Sequence, residues 1–159
     1  MKDVTSSQKL FKLEIDKKLE QTKADVFNTK KQITFTGKIS KNIPLSEKKR
    51  IVAFDAVTTN LGNAYNTSNG IFHCPIHGLY LVTCSIIGGT TGNIAVNVHL
   101  NGELIARPYT GSGYWRDSAA DTAVVHANAG DTIYAKLAYG TTTHLDNMSR
   151  FVVVLLKAD

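Results

Sequence analysis

The residues of this 159-residue chain whose types could do chemistry are five histidines, two cysteines and a loop dense in aromatic and basic side chains. His73, His77, His99, His126 and His144 are scattered over separate segments. His73 and His77 with Cys74 have the flavour of metal ligands. They flank a turn at Pro75, however, and lack the second ligand pair that a closed tetrahedral site needs. No Gly-x-Ser-x-Gly elbow, phosphate-cradling glycine loop or His-Glu-x-x-His helix occurs. The few acidic residues of the body mark turns. The expectation is a protein that is not an enzyme, with no catalytic residues, no assigned metal and no cofactor.

The segment from Arg107 to Ser118 is different. It places Arg107, Tyr109, Tyr114, Trp115 and Arg116 within a dozen residues, and Trp115 is the one tryptophan of the chain. A carbohydrate site stacks an aromatic face on the apolar side of a sugar ring and satisfies the hydroxyls with polar groups. Arginine can grip a sugar carboxylate with two parallel hydrogen bonds. The competing reading is that these aromatics pack the end of the fold or a subunit interface. A second loop, Tyr139 to Asn147, adds hydroxyls and His144. Together these give the expected ligand-binding set of Arg107, Tyr109, Tyr114, Trp115, Arg116 and His144.

These loops need a scaffold, and the periodicity supplies one. Residues 6 to about 30 read as a helix. Ile15, Leu19, Thr22, Val26, Thr29 and Ile33 fall at 4-3-4-3-4 spacing, a heptad seam that copies of the same helix could satisfy. A solvated tail is the alternative. From Ile33 the period becomes two, with Ile33, Phe35, Gly37 and Ile39 on one face. Residues 41–50 read as a polar, exposed loop. Strands follow at about 51–57, 70–74, 79–87, 94–100, 103–107, 122–127, 132–138 and 150–157, separated by glycine-rich turns. Asn101-Gly102 between two apolar runs is the strongest hairpin signal. So many short strands without intervening helices mean an all-β sandwich or jelly roll. Domain organisation follows: residues 1–32 form a helical N-terminal segment, a candidate trimerising coiled coil, and 33–159 form the globular head.

Two strands are apolar on both faces, Phe151 to Leu156 and much of Leu79 to Ile87. One face can fill the core, but the other would leave Val and Leu in water at roughly 1.5–3 kcal/mol of forfeited burial each. A partner subunit is the economical cover.

Charge narrows the partners. Residues 1–50 carry 13 Lys+Arg against 6 Asp+Glu, whereas residues 51–159 carry 5 against 7. The body lacks the basic face that phosphate neutralisation requires, so nucleic acid is not expected. No apolar run approaches the ~18 residues of a membrane span, so no membrane insertion is expected. Cys74 and Cys84 are too few for a disulfide framework; in a simple hairpin Cys74 would face Leu79 or Tyr80, so both are expected as free buried thiols.

The landmarks also occur in a familiar order. Phe54-Asp55, then Asn60-Leu61-Gly62-Asn63-Ala64-Tyr65-Asn66, then Gly70-Ile71-Phe72-His73-Cys74-Pro75-Ile76-His77-Gly78-Leu79-Tyr80 resemble the signature of the complement C1q globular head. Val98-His99-Leu100-Asn101-Gly102, Ala129-Gly130-Asp131-Thr132-Ile133-Tyr134 and the Phe151 strand continue it. The final strand departs, with Phe151-Val152-Val153-Val154-Leu155 where the family has Phe-Ser-Gly-Phe-Leu.

The resemblance implies a ten-stranded jelly roll of the C1q and tumour-necrosis-factor superfamily that assembles as a homotrimer. It is most similar to collagen-free, lectin-like C1q proteins of bivalve molluscs. These imply a secreted pattern-recognition protein of innate immunity that binds sialic acid, lipopolysaccharide or other microbial glycans, its leader absent from this chain. The alternative is a structural or cytokine-like module whose ligand is another protein. Some heads of this family bind calcium near the trimer apex; no acidic cluster in this sequence assigns such a site.

Overall fold

The computed structural model describes residues 3–29, 32–47, 50–111 and 116–159. The chain divides into two compact units, Met1–Lys31 and Gln32–Asp159.

The first unit is helix α1, Asp3–Thr29. It contains neither Gly nor Pro and is rich in Lys and Leu, which lose little side-chain entropy in a helix. Lys23 pairs with Glu20 at 2.8 Å on its surface. Leu10, Phe11, Leu13, Ile15 and Leu19 are all exposed. The last seam position, Ile33, belongs instead to the sandwich, where it is buried. The side chains of Val26 and Thr29 lie outside the described residues.

The second unit is a jelly roll of two sheets packed face to face. The first sheet has five strands in the order β10 (Ser118–Ala127), β6 (Gly78–Ile87), β13 (Arg150–Ala158), β1 (Thr34–Lys38) and β3 (Ala56–Leu61). The second runs β4 (Tyr65–Asn66), β5 (Ile71–His73), β11 (Thr132–Gly140), β7 (Ile94–Leu100) and β8 (Glu103–Ala106), with β9 (Tyr109–Thr110) also paired to β7. A small ladder joins β2 (Ile43–Pro44) to β12 (His144–Leu145).

The described residues form 13 strands where ten are expected; four of them, β2, β4, β9 and β12, are two-residue ladders that pin loops to the sandwich. The polar run 41–50 is one such place. Ile43 and Leu45 are buried there, held by pairing of Ile43 with Leu145 and by a 3₁₀ turn at Leu45–Glu47. Residue 51 makes an isolated bridge to Lys136, and the strand expected at 51–57 begins only at Ala56.

Strict alternation builds the core. In β6, Tyr80, Val82, Cys84 and Ile86 point inward and are fully buried. In β13, Phe151 and Val153 do the same. An aromatic cluster closes the middle: Phe35 stacks on Tyr65 at 3.7 Å, and Phe54 on Phe151 at 5.3 Å. The Tyr65 hydroxyl accepts the Phe54 N–H at 2.8 Å, so this buried polar group is satisfied. Gly37 leaves room for that cluster, since a Cβ there would stand 2.6 Å from Phe35 Cζ and 2.8 Å from the Phe54 carbonyl oxygen. Cys74 and Cys84 are both buried and free.

At the β7–β8 hairpin, Asn101 and Gly102 have φ of 50° and 90°, the left-handed pair that a two-residue turn of matching twist requires.

Candidate ligand-binding face

The outer face of the second sheet carries the aromatic and polar groups that could hold a ligand. Ala95 on β7 stands directly opposite two tyrosines, Tyr109 on β9 and Tyr139 on β11. Residues opposite one another in a ladder point to the same side, a few ångströms apart. The two rings lie 6.2 Å apart at 40°, and each tyrosine is 46% exposed. Ala95 itself is fully buried yet stands outside the main core cluster, as expected of a small residue roofed by its larger neighbours.

Tyr139 reaches this face because of a bulge. The register shifts between Leu137, opposite Val96, and Tyr139, opposite Ala95. Simple alternation would send Tyr139 inward with Leu137. Ala138 is the extra residue that turns it out, the re-aiming that bulges commonly perform.

Asn93 fixes the rim. Its backbone N–H donates to Thr141 Oγ1 at 3.0 Å, its carbonyl accepts the Thr141 N–H at 2.8 Å, and its side-chain amide donates to the Tyr109 hydroxyl at 3.3 Å. Gly92 makes this approach feasible: its φ is +82°, and a Cβ would lie 2.6 Å from the Thr141 backbone.

One rung further, about 7 Å along the sheet, Asn97 faces Lys136, and its Oδ1 accepts a 2.7 Å bond from Arg107 Nε. The Arg107 backbone N–H donates to Asp121 Oδ2 at 2.8 Å. Beyond it His99 stacks on Tyr134 at 5.2 Å. Burial, followed by the neighbouring charge of Lys136, holds the His99 imidazole below its ordinary titration range.

Arg107 and Tyr109 therefore share one face with Tyr139, and sequence reasoning missed Asn93, Asn97 and Lys136 as their partners. Arg116 and His144 form a second group. Arg116 Nη2 donates to the Asp146 carboxylate, which is buried, and His144 Nε2 lies 3.8 Å from the same oxygen. Asp146 also accepts the Met148 N–H at 2.9 Å, and His144 Nδ1 is 2.8 Å from Thr143 Oγ1. Tyr114 and Trp115 lie outside the described residues.

A depression of about 220 Å³ is lined by residues 39–44 with Arg50, Ala53 and Asp55. It is smaller than the roughly 300–1,000 Å³ of typical ligand pockets. Its polar centre is already satisfied, because Ser40 donates to Asp55 through both its N–H and its hydroxyl at 2.8 and 2.7 Å. The Ser40 hydroxyl is the main reason the Asp55 carboxyl titrates below its usual range.

One row on the outer face of the five-stranded sheet is apolar, beside a polar row that includes Thr83 and Thr122. Val124, Leu81 and Val154 line up across β10, β6 and β13, with Leu61 beyond Thr34 on the same rung. Val124 is 54% and Leu61 46% exposed, and neighbouring Leu156 is also exposed.

Comparison with known proteins agrees with this architecture. The family described as "C1q domain" matches residues 19–154. The chain belongs to the C1q-domain family. Zebrafish Caprin-2 is 25% identical over 131 residues, which is 79% of this chain but 14% of that protein. The chain thus spans about one seventh of that relative's length. The globular domain of zebrafish complement 1qA superposes with a TM-score of 0.67 at 14% identity, covering 80% of this chain and 99% of that domain. The Eiger TNF of S. frugiperda gives 0.63 at 14% identity over 82% and 96%. These likenesses establish the C1q/TNF-like jelly roll. Among the described residues no helix is long and apolar enough to cross a membrane.

Proposed function

We propose that this C1q domain is the non-enzymatic recognition head of a secreted homotrimer, and that it binds glycans of the sialylated or microbial kind on the face around Tyr109 and Tyr139. The observation that carries the reading is the exposed tyrosine pair roofing Ala95, edged by the Asn93 amide and the Arg107–Asn97 rung. Tyrosine faces offer apolar contact to a sugar ring while their hydroxyls remain in water. Asn97 orients Arg107 through Nε, and a guanidinium has further donors for a carboxylate. In this reading Tyr114, Trp115, Arg116 and His144 also contribute to ligand binding.

Trimerisation is supported by the row of Val124, Leu81 and Val154. Monomeric proteins rarely leave large contiguous apolar patches in water, and association of three copies would cover this one. Three equivalent sites then turn weak single-site binding into avidity.

A glycan array probed with the purified oligomer, with and without calcium, tests the reading. Selective binding to sialylated or microbial glycans supports it. A clean array from folded trimer would move the ligand to the protein class.

A further inference from the structure

A separate cluster stands where β6, β10 and β13 meet at one end of the five-stranded sheet. His77 Nε2 lies 3.2 Å from Asp159 Oδ2, and His126 Nδ1 lies 3.3 Å from the same oxygen. The two imidazole rings are 6.2 Å apart. All three donor atoms fall within 4.8 Å of one another. We propose that His77, His126 and Asp159 form a three-donor site for a divalent first-row transition metal such as Zn²⁺.

Backbone register puts them there. His126 pairs with Leu79, which shares a face with His77 two residues earlier. Ala158 pairs with Gly78, and the Asp159 N–H continues the ladder to the His77 carbonyl at 3.2 Å. A bulge between Leu155 and Lys157 resets the alternation of β13 and turns Asp159 to the outer side, beside His77. The three side chains are thus brought together by three different strands whose positions the sandwich already fixes.

The spacing suits a metal. Donors at roughly 2.0–2.2 Å from a tetrahedral Zn²⁺ stand about 3.3 Å apart, matching both nitrogen–oxygen separations. Both rings are more than half exposed and free to turn toward a shared ion. Two imidazoles and one carboxylate favour zinc or copper over calcium or magnesium, which prefer all-oxygen shells. Three protein donors leave a fourth position for water. Two neighbours carry charge: Asp131, whose carboxyl is held below its usual range first by the Asn101 side chain and only lastly by His77, and Lys157, two residues before Asp159, which opposes a cation.

The experiment is calorimetric titration of untagged, metal-stripped protein with Zn²⁺, backed by Co²⁺ absorption. One equivalent per chain is expected, with no response to Ca²⁺ or Mg²⁺. His77→Ala, His126→Ala and Asp159→Asn should each weaken binding by more than about tenfold, the scale on which metal sites respond to lost partners. Lys157→Gln should bind at least as tightly as the parent. All three donors are exposed in the single chain, and unfolding temperature and oligomer mass measured for each variant separate lost metal binding from misfolding or lost assembly. Absence of Zn²⁺ binding in the parent, or binding that survives all three substitutions, would overturn the assignment.

Discussion

Tyr109 and Tyr139, contributed by β9 and β11, stand opposite the same residue, Ala95, and hold their rings 6.2 Å apart above it. The arrangement depends on an extra residue, Ala138, in β11 and on a side chain at position 95 small enough to lie beneath two rings. Ala95→Leu should therefore push the tyrosines apart and weaken glycan binding while the inner core, which Ala95 does not join, stays intact. Near-unchanged unfolding with reduced glycan affinity checks this.

The Arg116–Asp146 pair predicts an asymmetric mutational response. Asp146 is buried while Arg116 is half exposed. Arg116→Ala leaves a buried carboxylate without its cation and should destabilise by about 1–3 kcal/mol, the cost of an unsatisfied buried group, below that of a fully buried pair because Arg116 is half exposed. Combining it with Asp146→Asn, which removes the stranded charge, should recover part of that loss. Urea unfolding of the two single variants and the double variant measures the coupling.

Burial also sets a pH limit. The Cys74 and Cys84 thiols are each pushed up to about 12, primarily by desolvation, and so is the Tyr80 hydroxyl. The folded state therefore holds protons that the unfolded chain releases near pH 9 for thiols and 10 for tyrosine. Stability from these groups is complete below about pH 9 and declines as pH rises toward 12, since the native state then binds more protons than the unfolded state. Chemical denaturation between pH 7 and 11 should show this fall. Thiol reagents at pH 8 should label neither cysteine until the protein unfolds.

Gly37→Ala should be strongly disruptive, because its Cβ would collide with the Phe35 ring and the Phe54 carbonyl. A loss of about 1–3 kcal/mol or more is expected from such overpacking, readable as a lowered unfolding midpoint.

Much of this architecture was legible in the chain. Alternation in Leu79–Ile87, the Asn101-Gly102 turn and the doubly apolar last strand all follow from side-chain period and turn chemistry. What could not be read depends on register. Tyr139 lay in a loop of interest, but its partnership with Tyr109 across Ala95 requires knowing that β11 and β9 both flank β7 and that Ala138 bulges. Ile43 and Leu45 sit in a charged run without periodicity, and a two-residue ladder and the 3₁₀ turn that follows it bury them. The His77, His126 and Asp159 cluster is likewise assembled by neighbouring strands that are distant in sequence.

Assembly gives a further prediction. Val124→Glu and Leu81→Lys place charge in the apolar row of the five-stranded sheet. Light scattering should show a trimer for the parent and monomer for the pair of substitutions. Deleting residues 1–32 should weaken the trimer without abolishing it; monomers from that truncation would assign association to the helix instead.

If the tyrosine face binds glycans, an array comparing the parent with Tyr109→Ala/Tyr139→Ala will separate the two. The parent should bind glycans selectively and the double variant should not, with trimer mass and unfolding temperature preserved. Glycan binding that persists without both tyrosines would contradict binding at that face.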